Sequence, residues 1–199
     1  MATQKIEDLV AALVAEIETY ADQEQVVILN MVRRRLHEVS PFKNEPVDLV
    51  EWVPSESVHA NSYNPNSVAP PEMRLLEHSI LSDGYTQPIV THDDGVKRET
   101  VDGFHRGRVG KESSAVRERV RGYLPVVSIR AARTNTEDRM ASTVRHNRAR
   151  GVHGVAPMTD LVAYLAKKGW DDGKIGKELG MDADEVADAA LVEGHVTPS

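Results

Sequence analysis

The rest of the sequence is best interpreted around the stretch Val101-Asp102-Gly103-Phe104-His105-Arg106. It follows a strand-like run of residues and opens a segment with helical character. A glycine at this position lets the backbone approach a ligand closely, and the N-terminus of the following helix offers free N–H groups to an anion. Arg106 adds a planar guanidinium group that suits phosphate oxygens. The stretch therefore predicts a turn that binds phosphate.

A second basic cluster follows later in the chain, as Arg145-His146-Asn147-Arg148-Ala149-Arg150-Gly151, with a predicted strand between the two. From Lys97 to Arg150 the sequence has 14 Lys and Arg against 6 Asp and Glu, although the whole chain carries −7. Such local positive charge favours an anionic ligand, either a nucleotide or a nucleic acid. The histidines match no dedicated zinc spacing, so no metal site is predicted.

The composition restricts the class of protein. The 199 residues include no cysteine, which excludes disulfides, thiolate metal sites and cysteine nucleophiles. No apolar run approaches the length that crosses a membrane, and the first residues lack a signal-peptide pattern. The sequence therefore predicts a cytoplasmic protein without a membrane partner.

Residues 1–42 are predicted to be a helical extension. One apolar stripe recurs at three- and four-residue spacing, which is typical of an amphipathic helix. The pattern pauses near Asp22 and stops at Pro41, so two antiparallel helices are expected. The stripe would dock on the main domain or form a homodimer interface, and the sequence leaves both open. Its members are Ile6, Leu9, Val10, Leu13, Val14, Ile17 and Tyr20.

Residues 43–154 alternate between strand and helix patterns and predict a mixed α/β core. We expect an edge strand at 48–53, then a loop rich in Asn, Pro and Ser at 58–71. The remaining elements expected are helices at 72–81, 105–111, 113–121 and 137–144, strands at 87–91, 99–101 and 124–129, and a hairpin turn at 93–95. The predicted fold class is α+β.

Residues 155–199 have the outline of a helix-turn-helix module, with helices starting near 159, 170 and 182 and a turn at Gly180. The third helix is acidic, whereas a helix that reads the major groove is normally basic or polar. Contact with DNA and contact with a protein partner are therefore both open. The acidic residues are Asp182, Asp184, Glu185 and Asp188.

Four motifs of the central part of the chain, taken in sequence order, resemble the ParB N-terminal domain of the ParB/sulfiredoxin fold. The resemblance spans roughly residues 47 to 150. The stretch from Val39 onward, together with the second basic cluster, looks most like the IbrB-like branch of transcriptional co-activators. The motifs that carry it are Asn64-Pro65-Asn66, the run Gly84-Tyr85-Thr86-Gln87-Pro88-Ile89-Val90, the opening stretch at 101–106, and Leu124-Pro125-Val126-Val127.

The resemblance implies a site for a nucleoside triphosphate, CTP or ATP, with Mg²⁺. ParB proteins bind CTP through a Gly-Glu-Arg-Arg turn and a Glu-Asn-x-x-Arg helix end. Phe104 and His146 replace the two glutamates here, and those glutamates are tied to magnesium and hydrolysis in the family. The cofactor-binding residues implied are Asn64, Gln87, Gly103, His105, Arg106, Arg145, Asn147 and Arg150.

The resemblance thus implies a nucleotide-binding regulatory protein that acts in transcription or DNA-linked regulation through its C-terminal helices. A PAPS-reductase-like protein is the partner that the IbrB-like branch implies. One alternative is a nucleotide-dependent enzyme of the same fold, a small-molecule kinase or an NTPase, with Asp102 or His105 as the catalytic base. Sulfiredoxin activity is excluded because the catalytic cysteine is missing. A second alternative is a non-specific nucleic-acid binder that uses the basic stretch.

Overall fold

The structure, a computed structural model, describes residues 2–60, 70–129, 141 and 155–193. Two helices come first, α1 (Ala2–Ile17) and α2 (Asp22–Val39). The central part contains strands β1 (Glu51–Pro54), β2 (Val58–His59), β3 (Ile89–Asp93), β4 (Arg98–Asp102) and β5 (Tyr123–Ser128). It also contains helices α3 (Pro70–Asp83), α4 (Phe104–Glu112) and α5 (Ser114–Arg119). The last part is α6 (Val155–Lys167), α7 (Asp172–Leu179) and α8 (Ala183–Glu193).

The five strands form one mixed sheet in the order β1-β5-β3-β4-β2. β1 is antiparallel to β5, β5 is parallel to β3, β3 is antiparallel to β4, and β4 is parallel to β2. The hairpin is confirmed as the β3–β4 pair. The edge strand expected at 48–53 is confirmed as β1 but begins only at Glu51, since Pro46–Asp48 form a short 3₁₀ helix. The predicted α+β fold class, with N-terminal helices and a C-terminal helical module, is also confirmed.

The sequence prediction was wrong at Val58, which was assigned to a loop and instead begins β2. This strand has two residues, so it is too short to show the alternation that reveals a strand. Its pairing with Arg98 and Glu99 is fixed by tertiary contacts, among them a hydrogen bond from the Lys111 ammonium to the Val58 carbonyl. The helix expected at 137–144 lies outside the described residues except for Ala141, which is helical and buried.

Helix α4 lies against the sheet because its packing face is built from small residues. Gly107 approaches the Ile89 side chain, and Gly110 lies against Tyr85 and Leu124. Tyr85 is mostly buried, and burial raises the pKa of its hydroxyl to about 12. This close packing fixes the start of α4 relative to the beginning of β3.

The apolar side chains form separate clusters. One lies under the sheet, a second joins α3 to α4 and α5, and a third is formed by α6, α7 and α8. Among the described helices, none combines the length and the apolar character needed to cross a membrane.

Candidate functional site

The site begins at Gly103, which connects the end of β4 to the start of α4. Its backbone is left-handed, with φ of 86°, and it occupies the N-cap position of the helix. The first intrahelical hydrogen bond runs from the Gly107 N–H to the Gly103 carbonyl at 2.9 Å. Because a glycine has no side chain, it does not cap the first N–H groups of α4. The turn thus presents the positive end of a helix dipole.

Arg106 folds back over this turn. A Cβ atom placed on Gly103 would lie 2.8 Å from one guanidinium nitrogen of Arg106, so a larger residue at 103 would displace the guanidinium group. The same group donates to the Gln87 side-chain oxygen at 2.5 Å and more weakly to the Pro88 carbonyl at 3.4 Å. It also lies 3.4 Å from a carboxylate oxygen of Asp102. These contacts hold a cation at the N-terminus of α4.

Asp102 is buried, with its side chain 4% exposed, and it forms an ion pair with Arg106. A buried carboxylate that is already engaged by a guanidinium group orients that group more readily than it accepts a proton from a substrate. The geometry therefore gives Asp102 a positioning role towards Arg106.

His105 occupies the first turn of α4 and has an unusual environment. Both of its ring nitrogens are buried, and neither has a hydrogen-bond partner in the part of the chain that the structure describes. Its ring meets Phe104 edge to face, with centroids 5.2 Å apart. Burial lowers the pKa of His105, and the charge of Arg108 lowers it further. The neutral form of the ring therefore predominates at pH 7, and the structure leaves its two buried nitrogens without solvent contact.

Several predicted site residues come together at this turn: Gln87, Asp102, Gly103, His105 and Arg106. The hydrogen bond between Arg106 and Gln87 joins the predicted turn to the residues that precede β3. Asn64, Arg145, Asn147 and Arg150 lie outside the described residues, and their roles stay predictions.

Tyr85 was not among the predicted site residues, although it supports the site. Its hydroxyl donates to the Arg106 carbonyl at 2.9 Å, and its ring packs edge to face with Trp52. An aromatic residue two positions before Gln87 in the Gly-Tyr-Thr-Gln-Pro run is the signal that could have identified it.

A second candidate site is the C-terminal module. Asp171 caps α7 by accepting from the Lys174 N–H at 2.8 Å, and Gly180 ends the helix with φ of 68°. Asp182 and Glu185 then form a reciprocal capping box at the start of α8. The turn is tight because Gly176 lets the Met181 carbonyl approach within 2.8 Å of a Cβ position. This arrangement is typical of a helix-turn-helix.

The exposed residues of α8 are largely acidic, with Asp184, Glu185 and Asp188 open to solvent. Residues 155–193 contain 4 Lys and no Arg against 9 Asp and Glu. A surface of this charge repels DNA phosphates and suits a basic protein surface.

Comparison with known proteins gives three findings. Residues 153–187 match the family described as the IbrB-like C-terminal HTH domain. This match confirms the predicted helix-turn-helix and the resemblance to the IbrB-like branch. The chain is also 50% identical to the uncharacterized protein YbdM of Escherichia coli (strain K12) over 174 residues. The aligned region covers 87% of this chain and 82% of that protein.

The structure is similar to two structures of the C-terminally truncated chromosome-partitioning protein ParB from Caulobacter crescentus. The one complexed with CTP-gamma-S aligns at TM-score 0.41 and 16% identity, over 73% of this chain and 78% of that chain. The one complexed to the centromeric parS site aligns at TM-score 0.48 and 14% identity, over 73% of this chain and 76% of that chain. At these values, the alignments carry no inference about ligands.

Proposed function

The chain belongs to the family of Escherichia coli YbdM, and we propose that it is a DNA-linked regulatory protein whose central domain binds a nucleotide. The observation that carries the proposal is the turn at Gly103, where Arg106 is held over the N-terminus of α4. The phosphates of the nucleotide contact this turn. The C-terminal helix-turn-helix module carries the effect of nucleotide binding to the regulatory partner.

The chemistry of the turn supports a phosphate ligand. The first N–H groups of a helix and a nearby guanidinium group both favour negative charge, and each charge-assisted hydrogen bond is about twice as strong as a neutral one. CTP or ATP, bound with Mg²⁺, is the ligand we propose.

We propose that the nucleotide is bound without being hydrolysed. Phe104 stands next to Gly103, where a carboxylate would assist a metal ion. The nearby carboxylate of Asp102 is buried and paired with Arg106. Neither residue is therefore arranged to activate water.

We assign DNA contact to the positively charged sequence from Lys97 to Arg150, outside the turn that binds the nucleotide, because DNA phosphates attract Lys and Arg. The acidic surface of α8 contacts a protein partner, and a PAPS-reductase-like protein is the one that the IbrB-like resemblance implies. DNA binding through the basic stretch should fall steeply as salt is raised.

The nucleotide proposal is tested by thermal unfolding with CTP, ATP and GTP, each with and without Mg²⁺. A ligand at about a hundred times its Kd adds about 2.7 kcal/mol to the stability of the folded state. For a chain of this size, that raises Tm by roughly 5–10 °C. We expect one nucleotide to produce such a rise in the wild-type protein.

Arg106→Gln should abolish the rise, and Gln87→Ala should reduce it. The matched control is Arg108→Gln, which removes an exposed arginine from the same helix that pairs with Glu112. It should respond like the wild type. If no nucleotide raises Tm, or if Arg106→Gln and Arg108→Gln respond equally, the proposal is wrong.

The enzyme of the same fold is a second candidate, and the neutral His105 ring favours it, because a neutral imidazole can accept a proton. An enzyme predicts release of phosphate or transfer to a small molecule, which His105→Gln would abolish. A regulatory protein predicts nucleotide binding without turnover. Measuring phosphate release alongside the Tm shift distinguishes the two.

A further inference from the structure

Helix α1 exposes a continuous apolar face. Six large apolar residues of α1 and the turn after it are between 38% and 59% exposed. Scattered single apolar residues are ordinary on a protein surface, but a contiguous face of this size marks an interaction site. These residues are Ile6, Leu9, Val10, Leu13, Val14 and Tyr20.

The spacing of this face is that of a helix that pairs with another helix. Apolar residues alternate at four- and three-residue steps, as in the a and d positions of a coiled coil. Leu9 and Val14 widen the seam on either side. The polar and charged residues lie outside it. The seam consists of Ile6, Val10, Leu13, Ile17 and Tyr20.

Most helix stability in proteins comes from packing an amphipathic face, and even alanine-rich helices of about 12–15 residues are marginal alone in water. α1 is only slightly longer, with 16 residues, and it makes no extensive packing contact with any other described element. Within the seam, Ile17 at the C-terminal end is buried, whereas Ile6, Val10, Leu13 and Tyr20 are exposed. A surface that covers these exposed residues would therefore stabilise α1.

We propose that this surface is α1 of a second copy of the chain, so that α1 is a dimerisation helix. A seam of aliphatic residues is complementary to itself, as a two-fold symmetric interface requires. This inference is independent of nucleotide binding.

The charges of α1 argue against a membrane as the occupant. Helices that lie on membranes are rich in Lys and Arg on their polar face. α1 instead carries Lys5 against three acidic residues, Glu7, Asp8 and Glu16. An anionic lipid surface would repel this helix, whereas a second copy of the seam brings no charge into the interface.

The apolar surface of the N-terminal extension continues beyond α1. α2 leaves Val27 67% and Met31 51% exposed one turn apart. The N-terminal extension therefore offers more apolar surface than one helix provides.

The test is sedimentation velocity of the full chain over a range of concentrations, with far-UV circular dichroism of the same samples. We expect the wild-type protein to be a dimer that dissociates on dilution and loses helix content as it does so. Val10→Glu places a charge in the seam and should weaken the dimer by roughly a hundredfold. Val10 is exposed, so the central domain should keep its melting temperature.

Ala15→Glu is the matched control, because it adds the same charge to the same helix at an exposed position outside the seam. It should change the dimer dissociation constant by less than about threefold. The proposal is overturned if the wild-type protein is monomeric at every soluble concentration. It is also overturned if Val10→Glu has no effect, or if the two variants weaken the dimer equally.

Discussion

At the scale of single residues, Gly103 serves both the backbone conformation of the turn and the placement of the proposed ligand-binding group, Arg106. Its left-handed conformation turns the chain from β4 into α4, and its missing side chain leaves room for Arg106. The sequence predicted both the turn and the guanidinium group. A glycine is required here for two separate reasons, and these can be measured separately.

Gly103→Ala should destabilise the protein by more than the roughly 1–2 kcal/mol that left-handed backbone costs an L-residue. The matched control is Gly95→Ala in the β3–β4 hairpin, where φ is 85° and nothing lies within 4 Å of the added Cβ. Both substitutions carry the same backbone strain, but only the first displaces Arg106. We expect thermal unfolding to show the larger loss at Gly103.

The response to nucleotide provides the second readout. Gly95→Ala should keep the nucleotide-induced rise in Tm, whereas Gly103→Ala should lose it. Equal losses of stability at the two glycines, with the rise retained in both, would show that the contact with Arg106 does not matter.

The sequence alone predicted some residues of this site but not others, and the difference has a physical reason. The Asp-Gly pair and Arg106 are neighbours in the chain, so local turn chemistry was sufficient to predict them. Gln87 entered only through the family resemblance, because its contact with Arg106 is made by the fold and has no local signature. Tyr85 was missed since its role depends on the packing of α4 against the sheet.

At the scale of elements, the helix-turn-helix depends on how closely α7 approaches the start of α8. The sequence placed the starts of α7 and α8 closely because Asp171, Gly180 and Asp182 are strong local signals. It placed the start of α6 near residue 159, whereas the helix begins at Val155. It did not reveal the role of Gly176, which is set by the Met181 carbonyl across the turn.

Gly176→Ala and Gly173→Ala make the same change in the same helix but should act differently. Alanine favours a helix over glycine by about 1 kcal/mol. At Gly176 this gain should be outweighed by a Cβ only 2.8 Å from a backbone oxygen, with a net loss on the order of 1–3 kcal/mol. At Gly173 the nearest atom is the end of the Asp171 side chain, 3.2 Å away, so we expect little change or a small gain.

Hydrogen exchange of the Ile175 and Val186 amides measures this locally, because both donate within the module. Gly176→Ala should speed exchange roughly tenfold for each 1.4 kcal/mol lost. Unchanged exchange in Gly176→Ala would mean that the turn is not tightly packed.

At the scale of the whole molecule, Asn30 of α2 connects the N-terminal extension to the backbone of β1. Asn30 is 7% exposed and donates to the Trp52 carbonyl at 2.7 Å. Its side-chain oxygen accepts from the Trp52 N–H at 3.1 Å. The amide of Asn30 thus replaces a neighbouring strand along the exposed side of β1.

Asn30→Ala should cost about 2 kcal/mol, because it leaves two backbone groups of Trp52 without partners. The control is Arg35→Ala, which removes the ion pair with Glu38 of the same helix. Arg35 is 76% and Glu38 59% exposed, so the loss there should stay below about 1 kcal/mol. Thermal unfolding of both variants compares the two losses of stability, and an equal or larger loss in Arg35→Ala would contradict the role of Asn30.

The pairing of β1 with β5 has a consequence for the order of events on the ribosome. Glu51 lies opposite Val126, so β1 waits for its partner until the intervening residues have been synthesised. At about 5–20 residues per second, this delay is on the order of ten seconds. Asn30, in contrast, precedes Trp52 and is already present when β1 emerges. The nascent strand therefore has a partner for its backbone from the start, well before the sheet can close.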